Sequence, residues 1–356
     1  MRTYRAESTR AGLQSLAGAG LVLDEYMDEV LSLLRRAVPT EGSCIATVDP
    51  ASVMIGASYR HDLEDTSGTA QFFYYEYAAG GDVSLWADLA RRPFGVGILH
   101  DEAGGDPQRS NRYRNVVKPL IGATHEMRGV ARRGGVTWGA FALYRGAESP
   151  PFNAAEAEYM HRLEGILADG LRAGIATSTM EATHTEEGPA ILTFDGTGQL
   201  QYATDAARRR AAGFDGDLDT DLPTPVAGVL SRLRHGDETA PRLRAQHRDG
   251  TWYVFQAARF RDDDGRVMQY AVTIEEGTPN EIVPLLMSAH GLTQRETRIV
   301  QAMMRGDSTH AIAQSLHISP YTVQDHFKAI FAKFGVSSRR EVASRLYYTL
   351  YADASH

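Results

Sequence analysis

Between residues 288 and 350, apolar residues recur at spacings of three and four, and four short helices can be placed from their boundaries alone. Thr293 and Glu296 have capping-box spacing for the first helix, which turns Ile299, Val300 and Met303 inward and stops at Gly306. Ser308 caps a second helix whose inner face is Ile312, Ala313 and Leu316. Ser319 followed by Pro320 is a paired start signal for a third, which Gly335 ends; Ser338 and Glu341 open a fourth. At about 100° per residue, Val323, Phe327, Ile330, Phe331 and Phe334 fall on one face of the third helix. Tyr321, Gln324, Asp325, Lys328 and Ala332 fall on the other, which is polar and only lightly charged.

Upstream, the pattern divides into two further blocks. In residues 1–180, an amphipathic helix over 24–36 leads to strands at 44–48 and 53–59 around Asp49-Pro50. A hairpin follows, 126–131 and 137–144, turning at Gly134-Gly135. Asn153 and Glu156 then open a long helix carrying Met160, Leu163, Ile166, Leu167 and Leu171. The polar run 181–188 reads as a linker. Residues 189–276 carry five strand-like runs, with hairpin turns at Asp249-Gly250 and Asp264-Gly265. Residues 277–287 read as a second connector.

Composition adds three constraints. A chain of 356 residues with 43% hydrophobic and 23% charged content is a soluble globular protein of two or three domains. A single cysteine, Cys44, allows neither an internal disulfide nor a thiolate cluster, which fits a reducing cytoplasm. No apolar run is long enough to span a membrane and no leader is visible, so a cytoplasmic location without a membrane partner is expected. The net charge of −8 is uneven. Residues 288–350 hold eight Arg/Lys against four Asp/Glu, a net +4, while residues 1–287 carry −11. A basic module on an acidic body is expected where one module meets phosphate and the other does not. The chain lacks a phosphate-binding loop, a nucleophile elbow and paired catalytic carboxylates, so no enzymatic activity and no cofactor are expected. The twelve histidines have no metal-ligand spacing.

The run from Leu292 to Glu341 closely resembles the LuxR-type helix-turn-helix family. The matching residues are Leu292-Thr293-x-Arg295-Glu296, Gly306, Ile312-Ala313-x-x-Leu316, Ser319-x-x-Thr322-Val323-x-x-His326, Lys333-x-x-Val336 and Ser338-Arg339-x-Glu341. The resemblance implies that the third helix enters the major groove of double-stranded DNA and that the fourth, with Val342 and Leu346, serves as a dimer helix. Gln324, Asp325 and Lys328 are then the base contacts: glutamine pairs with adenine, lysine donates to guanine, and aspartate accepts from cytosine. Ser319, Tyr321, Thr322 and Lys333 are the phosphate contacts. Gln324 stands where the family often has lysine, and Asp325 follows it, so the operator of a relative does not carry over.

The first block resembles a GAF-type sensory domain of actinobacterial regulators, most of all from the hairpin through the long helix. The second resembles a PAS domain with an abbreviated middle. The fold expected is therefore multidomain: an α+β GAF-like domain (1–180), an α+β PAS-like domain (189–276) and an all-α four-helix LuxR-type domain (288–350). Phe72, Phe73, Tyr75, Trp86 and Trp138 are the candidates for lining a small-molecule pocket in the first domain; plain core packing is the commoner fate of such clusters. The function expected is a sequence-specific transcription regulator, homodimeric, modulated through its N-terminal domains and touching RNA polymerase if it activates. A competing reading is a signal-binding protein or enzyme whose last domain makes protein contacts. That reading calls for large apolar groups exposed on the third helix.

Overall fold

The computed structural model describes residues 3–63, 68–180 and 188–351. Most of the expected 181–188 linker lies outside the described residues.

The first domain opens with two helices, α1 (Thr3–Ala17) and α2 (Leu23–Ala37). The latter buries Leu23, Tyr26, Met27, Val30, Leu31 and Leu34, one stripe at helical spacing. Strands β1 (Gly42–Asp49) and β2 (Met54–His61) follow, then α3 (Thr69–Tyr77), α4 (Trp86–Arg91), β3 (Val96–Ile98) and α5 (Leu99–Glu102). After a π-helical stretch, Tyr113–Ile121, come β4 (His125–Arg133), β5 (Val136–Arg145) and the 27-residue α6 (Ala154–Met180). Asn153 Oδ1 accepts the Glu156 N–H at 3.1 Å while Glu156 returns a carboxylate oxygen to the Asn153 N–H, so the capping box is formed. The five strands make an antiparallel sheet in the order β2-β1-β5-β4-β3. Helices α1, α2 and α6 cover one face; α3, α4 and the π-helical stretch cover the other, so two cores flank the sheet.

The second domain repeats the same strand order with new strands: β7-β6-β10-β9-β8. Its elements are β6 (Ile191–Asp195), β7 (Leu200–Ala203), α7 (Asp205–Ala211), α8 (Thr224–His235), β8 (Arg242–Gln246), β9 (Trp252–Arg261) and β10 (Val267–Glu276). Inside, Leu192, Phe194, Val226, Leu233, Leu243 and Phe255 are fully buried. Helix α8 packs on its own sheet and also on α3 and β2 of the first domain, and its Ala227 joins the first domain's inner core.

The connector expected at 277–287 is instead a helix, α9 (Pro279–Ala289), opened by a capping box of Thr278 and Glu281. Its apolar residues Ile282, Leu285 and Leu286 pack into the core that α6 shares with the C-terminal helices, which extended periodicity across a Pro284-bearing segment did not reveal. Helices α10 (Gln294–Met304), α11 (Thr309–Ser315), α12 (Pro320–Phe334) and α13 (Arg339–Tyr351) complete the described residues. Gly335 ends α12 at φ +61°, a left-handed position that glycine takes without Cβ strain.

Candidate nucleic-acid interface and ligand cavity

Local hydrogen bonding builds α12. Ser319 Oγ accepts the Thr322 N–H at 3.0 Å, Pro320 occupies the first turn, and Ser308 caps α11 in the same way at 3.2 Å. Between the two helices His317 takes φ +52°, which closes the turn. Val323, Phe327, Ile330 and Phe334 are buried in one seam. On the opposite side Tyr321, Gln324, Asp325 and Lys328 are exposed together, beside exposed Ser319 and half-buried Thr322. Lys328 Nζ lies 3.0 Å from Asp325 Oδ1. Both side chains are at least half exposed, so the pair contributes about 0–1 kcal/mol and the ammonium is readily transferred to a nucleic-acid acceptor.

Two expected roles meet a different arrangement. Lys333 Nζ lies 2.6 Å from Glu296 Oε2, and that buried carboxylate also accepts the Thr293 N–H. Burial raises the Glu296 pKa, but the bonds from Lys333 and Thr293 outweigh it and hold the carboxyl below its ordinary range. Lys333 is thus a strut between α12 and the start of α10. Val342 and Leu346, expected on a dimer helix, are 0% and 2% exposed inside the chain's own core, with α13 packed on α9, α12 and α6. An apolar stripe on the last helix reads alike for a dimer face and for a core face, and these two residues lie in the core. Arg339 stacks 3.9 Å over Phe327 and donates to Thr309 Oγ1, while Arg345 caps the end of α12 at Phe334 O. Several of the module's cations therefore brace the domain itself. At its junction with the body, Arg172 of α6 donates to Ala289 O at 3.1 Å. His290 stacks on Phe334 with centroids 4.2 Å apart, and burial lowers its pKa to about 4.

The inner face of the first sheet encloses a cavity of about 90 Å³. Cys44, Ala46, Ser58, Arg60, Ala142 and Tyr144 form its sheet side; Thr69, Phe72, Phe73, Trp86 and Leu120 form the opposite wall. Of the five residues expected at a pocket, Phe72, Phe73 and Trp86 are brought together here. Tyr75 is not: it points from α3 into a groove against α8, with Ser231, Arg234 and His235. Trp138 is not either. Thr137 pairs with Arg132 and Gly139 with Ala131, so Trp138 is the extra residue of a β-bulge. The bulge breaks the alternation along β5 and sends the indole to the other core, under the Arg172 guanidinium. The Cys44 side chain is exposed to the cavity, and burial pushes its thiol pKa up to about 11.

Behind the aromatic wall lie two ion pairs that sequence reading did not find. Arg112 and Glu126 make a bidentate pair at 2.6 and 2.8 Å, both fully buried. Arg128 reaches Glu76 at 2.7 Å and Ser84 O at 2.8 Å, with its guanidinium 3.8 Å over Trp86. The second domain reaches the cavity. Thr224 lines it, Asp215 Oδ2 accepts from Ser58, Arg60 and Thr224, and Asp221 accepts from Thr69. A third junction ties in α9: Arg244 on β8 donates from its backbone and side chain to Asp49 at the end of β1, and from Nη1 to Glu281 O.

Four capped helices, a tight turn before α12 and a polar exposed α12 face define a helix-turn-helix DNA-binding domain. Residues 290–346 match the family of bacterial regulatory proteins, luxR family, and the domain is of the LuxR type. A search of curated protein sequences finds no match. Among solved structures, the Vibrio cholerae VqmA–ligand–DNA complex is 18% identical, covering 45% of this chain and 81% of that one, with a TM-score of 0.24. Escherichia coli SdiA is 12% identical over 92% of this chain and 90% of its own, at 0.32. The GAF domain of a phosphotransferase from Coxiella burnetii is 13% identical over 48% and 94%, at 0.33.

Among the described residues, no helix is long and apolar enough to cross a membrane, and no group of His, Cys, Asp and Glu could hold a metal ion.

Proposed function

We propose that the protein is a sequence-specific transcription regulator whose two N-terminal domains modulate DNA binding by α12. The observation that carries the reading is the exposed polar face of α12 on a LuxR-type domain. Gln324, Lys328 and Asp325 read base edges, and Ser319, Tyr321 and Thr322 hold phosphates at the helix start, where backbone N–H groups and the dipole favour anions. Lys333 contributes to DNA binding by keeping α12 in place rather than as a direct phosphate ligand. We read the first domain as GAF-like and the second, from its identical strand order, as PAS-like. Arg244 supplies a continuous physical link from the cavity-lining strand β1 to α9 and so to the DNA-binding domain. The regulator acts in the cytoplasm as a homodimer on palindromic half-sites, and contacts RNA polymerase where it activates.

Selection from random double-stranded DNA, with the whole chain and with residues 279–351, tests this. Binding that weakens steeply with salt is expected, because neutralised phosphates release counterions. Lys328→Ala costs about 1–3 kcal/mol and relaxes preference at particular base positions. Folded protein in both forms that lacks salt-sensitive binding to any selected DNA rejects the reading.

A further inference from the structure

We propose that the first-domain cavity is a composite site, completed by the second domain, for a small uncharged ring molecule bearing one hydrogen-bonding group. The proposal rests on the reading of the first domain as the input domain, and gives that input a ligand class and a point of transmission.

The composite character follows from who holds the polar lining groups. Ser58, Arg60 and Thr224 all line the cavity, and all three donate to the same oxygen, Asp215 Oδ2, with Arg60 at 3.3 Å and Thr224 at 2.6 Å. Thr69, also at the cavity, donates its N–H to Asp221 at 3.1 Å and its hydroxyl to the same carboxylate. One short segment of the second domain, 215–224, therefore holds three polar groups of the first domain at the cavity, Ser58, Arg60 and Thr69, and adds its own Thr224 to the lining. A ligand that bonds to any of them competes with that segment. The other Asp215 oxygen, Oδ1, is buried without a hydrogen-bond partner.

The ligand class follows from the charges around the walls. An anion finds one guanidinium among the lining residues, Arg60, and that group is already paired with Asp215. A cation finds no carboxylate among the lining residues, and the Arg112–Glu126 and Arg128–Glu76 pairs behind the wall are each neutral as a unit, with the Arg128 guanidinium already covering Trp86. An uncharged ring meets Phe72, Phe73 and Trp86 instead, whose rings stand at 87° and 47° to one another and present both edges and faces. The free volume of about 90 Å³ is far below the several hundred of a drug-sized site, which limits an occupant to one small ring. Ser58 and Tyr144 are within the lining to hold its polar group.

The test uses three probes of one size and different charge on the full-length protein: 4-fluorobenzyl alcohol, 4-fluorobenzoate and 4-fluorobenzylammonium. Fluorine line broadening measures binding, and hydrogen exchange measures the response of residues 215–224. The alcohol is expected to bind, the charged probes at least tenfold more weakly, and exchange in 215–224 is expected to change with the alcohol. Ala142→Leu should abolish alcohol binding by filling the cavity; Ala46→Leu on the neighbouring strand makes the same block if the first variant misfolds. A charged probe binding as well as the alcohol overturns the ligand class. Absence of alcohol binding, or binding that survives both blocks, overturns the site. Binding with unchanged exchange in 215–224 overturns the composite character. DNA binding measured on the same samples separates the two readings: alcohol bound by protein that ignores DNA rejects the regulator and leaves the site standing.

Discussion

The two sheets have one strand order and opposite interiors. The first lays Ala46, Ala140 and Ala142 along its inner face and stands them off from a helical wall stiffened by buried Arg112–Glu126 and Arg128–Glu76 pairs. The second fills the equivalent space with Leu192, Phe194, Leu233 and Phe255, all fully buried. Apolar side chains close on one another wherever volume allows, because interiors pack to crystal-like density. A buried ion pair cannot collapse in that way, since each charge must keep its partner in place. Topology therefore does not decide whether this kind of sheet holds a cavity. Side-chain volume on the strands and rigid polar bracing in the wall decide it.

The largest expected effect tests the bracing. Glu126→Ala strands the fully buried Arg112 guanidinium and should cost about 3–5 kcal/mol, read from the midpoint of urea unfolding. A smaller loss would mean that water reaches the pair and that the wall is soft. In the second domain the matching test is Leu233→Ala, a simple void costing about 2–5 kcal/mol. That variant should leave the first domain's probe binding intact, and loss of binding would show that the two interiors act as one.

The third test asks whether the cavity is dry. With its thiol pKa raised to about 11 from the ordinary 9.0, Cys44 stays protonated until strongly alkaline pH. Alkylation by iodoacetamide at pH 8 should run about 100-fold slower than that of a free thiol, and its rate should climb toward pH 11 rather than level off near 9. Ordinary reactivity at pH 8 would mean a wet, open cavity. The smallest effect compares two alanines. Ala257→Val overpacks the filled sheet and should cost about 1–3 kcal/mol, whereas Ala142→Val grows into free space and should change stability by less than about 1 kcal/mol. Equal costs at the two positions would break the comparison.

Legibility followed interaction range. The caps at Thr293, Ser308 and Ser319, the stop at Gly335 and the buried seam of α12 were all readable, because capping bonds reach three residues and helical faces repeat within one or two turns. The Gln324, Asp325 and Lys328 face was readable for the same reason, although the Lys328–Asp325 pair on it was not anticipated. In the first domain the aromatic cluster was visible as composition, but the pocket it lines was not separable from a core until α3 was placed against the sheet.

What the sequence alone determined is the basic C-terminal charge and the helices of the DNA-binding domain, since these depend on neighbours along the chain. Tertiary structure decided the rest. It turned Trp138 away through a one-residue bulge whose effect depends on the partner strand β4. It buried Val342 and Leu346 against α9 and tied Lys333 to Glu296, 37 residues away. It placed Asp215 against Ser58, 157 residues away, so that the second domain bonds to a residue lining the first domain's cavity. Each of these contacts joins groups far apart in sequence, and a residue's burial or charge partner exists only once both elements have been packed.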